Sequence, residues 1–151
     1  MSLQHDIENL SKDYVLVDWT DNESCCYEFK ILLHKNQEIL DDDTILVKTL
    51  NGERSDLRIF VSILEPCYYM FIERTKYTDA NDKWKFDTVK CLNQEITKLL
   101  KDIESYFCKK GYRKFFDDEV KEKVPDIETE LKEVNEVIVF DCLFTDLVKL
   151  D

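Results

Sequence analysis

Glycine and proline are scarce, with two of each in 151 residues. A phosphate cradle needs glycines so that main-chain amides can approach the anion, and Gly52 and Gly111 stand far apart in the chain. Glycine-rich nucleotide-binding loops are therefore excluded, as are collagen-like, linker-like and glycine-rich repeat architectures. Histidine is equally sparse. His5 and His34 sit in no metal-ligand frame, so a histidine-based metallohydrolase is not indicated. The serine elbow G-x-S-x-G is missing. None of the six cysteines forms a C-x-x-C, which argues against a zinc ribbon or a dithiol redox pair. A thiol nucleophile from Cys25 or Cys26 with His34 as base fails on geometry, because eight residues along a strand span ~26 Å. No apolar run reaches the ~20 residues of a bilayer-spanning helix, and no signal-like hydrophobic stretch follows Met1. These absences lead to an expectation of a non-enzymatic, cytoplasmic protein without metal or cofactor. Its cysteines should stay reduced and behave as small hydrophobes.

Negative charge, by contrast, is plentiful: 33 acidic against 21 basic side chains, a formal net charge of −12. That balance argues against direct binding to nucleic acid or to an anionic membrane surface. With 44% hydrophobic and 12% aromatic residues the chain is too rich in core-forming side chains for disorder. Its length suits one domain over residues 1–151. The acidity is segregated. Residues 1–67 carry 14 acids and 6 bases, 68–114 carry 7 and 11, and 115–151 carry 12 and 4. Two clusters stand out: Asp41, Asp42 and Asp43, and the stretch 116–136, where nine acids face three lysines. The second includes Asp117, Asp118, Glu119, Glu122, Asp126 and Glu130. A solvated surface is the plain reading of such runs. The functional reading is a negative surface that steers and orients a basic protein partner, such as a nuclease or toxin domain. Tyr68, Tyr69, Phe71, Tyr77 and Trp84 lie near Arg74, Lys76, Lys83 and Lys85 and could stack single-stranded nucleic acid. In a chain this acidic they read instead as core on one face of a sheet and rim on the other.

Periodicity supplies the fold. Leu3, Ile7 and Leu10 predict a short amphipathic helix. Alternation predicts strands over 14–19, with Val15, Val17 and Trp19 on one face, and over 26–34, with Tyr27, Phe29, Ile31 and Leu33 opposite Glu28 and Lys30. The acidic stretch 38–43 predicts a loop. Asn51-Gly52 suits a type I′ turn, which would join a strand over 44–50 to one running toward Leu64. Pro66 interrupts the pattern, and 68–77 resumes it. Residues 87–109 predict a long helix capped by Asp87 and ended at Gly111, with an apolar stripe through Val89, Leu92, Ile96, Leu99, Leu100, Ile103 and Phe107. One or two short acidic helices are predicted over 116–136, restarting at Pro125, and a strand buried on both faces over 137–144. The expected class is α+β: a mainly antiparallel sheet of about five to six strands with the 87–109 helix packed on one face.

The order helix, strand meander, helix resembles the RWD domains of eukaryotic adaptor proteins. That family's Tyr-Pro signature is missing, with Glu65-Pro66-Cys67 in its vicinity. In size, acidity and lack of catalytic motif the chain also resembles immunity proteins of bacterial toxin systems and phage-encoded nuclease inhibitors, a likeness of general character that rests on no specific motif. The resemblances imply two functions: a non-catalytic inhibitor of a basic partner, or a structural adaptor subunit of a larger cytosolic complex.

Overall fold

A computed structural model describes residues 2–35, 44–90 and 92–150. The acidic stretch 38–43, expected as a loop, lies outside them. The architecture is α+β. Five antiparallel strands run in chain order, β1 (Val15–Asp18), β2 (Cys26–Leu32), β3 (Glu53–Ser62), β4 (Cys67–Thr78) and β5 (Lys83–Val89). A sixth, β6 (Arg113–Lys114), lies parallel to the start of β4.

Alternation along these strands sorts the side chains onto two faces. Phe29, Ile31, Leu57, Ile59, Val61 and Ile72 are buried on the first face. Two helices cover it, α1 (Leu3–Leu10) and α3 (Gln94–Lys109). Ser2 caps α1, its hydroxyl accepting from the His5 amide, and Asn93 caps α3, its side chain accepting from the Ile96 amide at 2.9 Å. Ile96, Leu99, Ile103 and Phe107 form the buried stripe of α3, and Phe107 stacks on Tyr68 with ring centroids 4.2 Å apart. Gly111, at φ 80°, follows the helix as expected.

The structure corrects several expectations. Helix α3 begins at Gln94 rather than at Asp87, because 83–89 forms strand β5 and Asp87 pairs with Arg74 across to β4. The predicted strand over 44–50 is a helix, α2 (Thr44–Thr49). Short apolar runs do not distinguish the two states, and the positive φ of Asn51 (60°) and Gly52 (81°) serves a helix end as well as a hairpin. Here the Gly52 amide donates back to the Val47 carbonyl at 2.8 Å. In 116–136 only α4 (Asp117–Val120) is helical. The predicted strand over 137–144 is a short helix, α5 (Val139–Leu143), and the buried Val137, Phe140 and Phe144 follow helical rather than alternating spacing. In β1 the residues Val15 and Val17 turn toward the second face, and Leu16 joins the first-face core.

Candidate functional site

Among the described residues, those that cover the second face do so only in part. At one end, Val120, Phe140 and Phe144 from the C-terminal segment pack on Cys26, Phe60, Cys67 and Tyr69. The Cys25 amide donates to the Phe144 carbonyl at 3.1 Å and the Ser24 hydroxyl to Thr145 at 2.9 Å, which ties this cover to the start of β2. Burial, with lesser contributions from nearby carboxylates led by Glu28, pushes the Cys26 thiol up to about 12.

The segment that carries the predicted acidic site hangs from this cover. Residues 125–136 form a loop whose neck is closed by the Val124 amide on the Val137 carbonyl (3.0 Å) and the Val139 amide on the Glu122 carbonyl (2.9 Å). Its ends thus meet, as in compact surface loops that often carry function. Asp126 and Asn135 take positive φ within it. Lys132, the loop's sole base, folds inward, its ammonium 2.7 and 2.9 Å from the two oxygens of Asp141. Asp141 also accepts the Ile138 amide at 2.8 Å, so one carboxylate both caps α5 and anchors the loop. Outward stand Asp126, Glu128, Glu130, Glu133 and Glu136, interspersed with Ile127, Leu131 and Val134, which are 42%, 59% and 46% exposed.

The predicted residues therefore divide. Asp118, Glu122, Asp126 and Glu130 are exposed. Glu119 is engaged within the chain, accepting the Phe116 amide and pairing with Arg113. Asp117 accepts a 2.7 Å hydrogen bond from the Tyr69 hydroxyl. Burial first, and then that bond, hold the Tyr69 phenol above its ordinary value. Asp41, Asp42 and Asp43 lie outside the described residues.

Sequence reasoning missed two features. The first is a strip of buried charge on the second face. Arg58 pairs with Glu28 on β2 and lies 3.3 Å from Glu73 on β4, with its guanidinium over the rings of Phe60 and Phe71. Burial opposes the charge, but the two carboxylates outweigh it and hold Arg58 above its ordinary value. Alternation placed Glu28 opposite the core correctly, yet nothing local shows that it would be buried at 6% exposure. A cleft of about 520 Å³ lies over this strip, between Trp19, Phe86 and the C-terminal residues.

The second is a notch in the sheet edge. Strand β6 pairs with β4 at Cys67 and Tyr68, and β5 pairs with it from Ile72 onward. Among the described residues no strand stands opposite Tyr69, Met70 and Phe71 on that side. A cavity of about 500 Å³ fills the gap, lined by Met70, Leu100, Phe116, Asp117 and Asp118 among others. It adjoins a second of about 300 Å³ that shares Tyr69, Phe71, Thr88, Lys90 and Asp117. The signal for this gap lies in strand lengths that only the fold reveals.

The aromatics weighed as a stacking platform are dispersed: Tyr68 is core on the first face, while Tyr69 and Phe71 lie on the second and Tyr77 packs against Trp84. Among the described residues no group of three or more His, Cys, Asp or Glu could hold a metal ion, and no helix is long and apolar enough to cross a membrane. The described cysteines are free thiols. Compared with known proteins, the chain matches no family model, no curated protein and no solved structure at a significant level.

Proposed function

We propose that the chain is a non-catalytic binding protein that captures and inhibits a basic protein partner, such as a nuclease or toxin domain. The loop 125–136, together with Asp118 and Glu122, is the contact surface. One observation carries this reading: large apolar side chains stand exposed among carboxylates on an anchored loop whose single lysine is turned inward. Solubility explains surface acids but gives no reason to expose Leu131 beside them. Apolar contacts ringed by one sign of charge suit a partner of the opposite sign, with the charges speeding and orienting encounter and the apolar groups slowing release.

The test is a comparison of the wild-type chain with Glu128→Lys, Glu130→Lys and Glu133→Lys combined, and with Leu131→Asp. Partners are cross-linked in the native host and identified, then measured kinetically. The expected partner is basic. The triple reversal should lower the association rate strongly and flatten its salt dependence, while Leu131→Asp should raise the dissociation rate. An acidic partner, or unchanged binding by both variants, overturns the reading. The alternative, a structural adaptor subunit, draws on the open sheet edge and is favoured if stable, salt-insensitive co-purification is found instead.

A further inference from the structure

We infer that the notch in the outer edge of β4 docks an extended segment of the partner polypeptide, bound as a short added strand against Met70. The segment is apolar beside Met70 and basic at the residues on either side. The inference rests on the reading above only in taking the segment from the same basic partner.

The main chain sets the geometry. The Phe115 amide donates to the Tyr68 carbonyl at 2.8 Å, so Tyr68 turns its main-chain groups outward. Residues two apart in a strand turn the same way, so the Met70 amide and carbonyl also face the gap between β5 and β6. A donor and an acceptor from one residue, presented side by side, are satisfied by one residue of an opposed strand. Other edges are guarded. Strand β5 carries the exposed Lys83 and Lys85 at its rim, and β1 is only four residues long. The notch leaves main-chain pairing open to a narrow segment alone.

The side chains set the chemistry. A residue opposite Met70 shares its face and meets Met70, Ile72 and Leu100, which selects an apolar side chain. Its neighbours turn to the other face, toward Tyr69, Phe71 and Asp117, with the exposed Asp118 at the rim. Of the two lysines that also line the cavity, Lys114 is paired with Glu104 and Lys90 is exposed. Aromatic faces next to carboxylates suit lysine or arginine.

The test titrates the full-length, nitrogen-15-labelled chain with the peptide acetyl-Val-Lys-Val-Lys-Val-amide to millimolar concentration, followed by amide NMR. Saturable shifts of the Tyr69, Met70 and Phe71 amides are expected, with slowed hydrogen exchange at Met70. N-methylation of the valines should weaken binding about tenfold or more, since it removes the main-chain donors. Glutamates in place of the lysines should abolish binding. Thr88→Trp, at an exposed strand position lining the notch, should also abolish it in a chain that remains folded by circular dichroism, while Thr88→Ser retains it. Unmoved β4 amides, or equal binding by the N-methylated peptide, overturn the inference. The triple loop reversal separates the two readings: it should bind this peptide normally, so peptide binding judges the notch and partner capture judges the loop.

Discussion

On one side of the sheet, Leu57, Ile59 and Ile72 meet Leu99, Ile103 and Phe107 from a single 16-residue helix, and the contact is almost wholly apolar. On the other side, Phe60 and Tyr69 meet Phe140 and Phe144 from a segment that is mostly loop, and the middle of the face is held by Glu28, Arg58 and Glu73. The same five strands thus bury two kinds of surface. A regular cover needs only a helix with an apolar stripe of the right period. An irregular cover leaves gaps, and there the sheet carries charge, clefts and an unpaired edge. The first face holds the fold together, and the candidate binding features lie on the second face, in the loop that hangs from its cover, or at the open edge of β4.

The sharpest way to break this contrast is to remove Arg58. It is 8% exposed, and its loss leaves the buried Glu28 and the half-buried Glu73 without their shared cation. Arg58→Ala should cost on the order of 3–5 kcal/mol in denaturant unfolding. Replacing the whole set, Glu28→Leu with Arg58→Met and Glu73→Leu, should be neutral or stabilising by about 1–4 kcal/mol, because no buried charge then remains unpaired. A cost for Arg58→Ala no larger than that of a surface change would mean that the strip is solvated and that the two faces differ less than their geometry indicates.

The regular face should respond more evenly. Leu99 and Ile103 are 5% and 0% exposed, and truncating either to Ala should cost on the order of 2–5 kcal/mol, read from denaturant midpoints. The site at which the surrounding structure relaxes less should show the larger cost. Near-neutral effects at both positions would mean that α3 does not carry the first-face core.

The same division explains what the sequence made legible. Strands β2, β3 and β4, helix α1 and the stripe of α3 follow from spacing alone, because a core on one face imposes a period on each element separately. The misread segments are those whose partners are distant in the chain. The apolar residues of 44–50 and 137–144 admit either state by spacing alone, and in the fold the first segment packs against β3 and β4 and the second against Phe60 and Tyr69. Ile127, Leu131 and Val134 recur at helical spacing, yet without an apolar surface to receive them the segment forms a loop. Asp87 is a reasonable cap by type, but Arg74, 2.8 Å away across the sheet, claims it and holds its carboxyl below the ordinary range. The acidic residues were visible as a cluster. Which of them are free and which are engaged within the chain, as Glu119 and Asp117 are, depends on Arg113 and Tyr69 and on how the segment returns to the sheet.

A smaller effect offers a way to tell the faces apart by pH. His34 follows β2 near Arg54, on the charged side. Burial, and then the positive charge of Arg54, hold its imidazole below the ordinary value of 6.5. As pH falls, the unfolded chain therefore takes up that proton before the folded one does. The stability His34 contributes is present above its unfolded value and is lost as pH falls toward its lower folded value. The buried cluster beneath α1 and α3 has no counterpart. Among the described residues its one titratable member is Tyr68, which burial pushes up to about 12. Between about pH 7 and 5.5, above the ordinary carboxylate range, the wild-type unfolding midpoint should fall with acid, and His34→Gln should flatten that slope. Leu99→Ala should shift the whole curve down and leave its slope unchanged. If His34→Gln retained the wild-type slope, the proton would be entering elsewhere, and the acid response could not be assigned to the charged face.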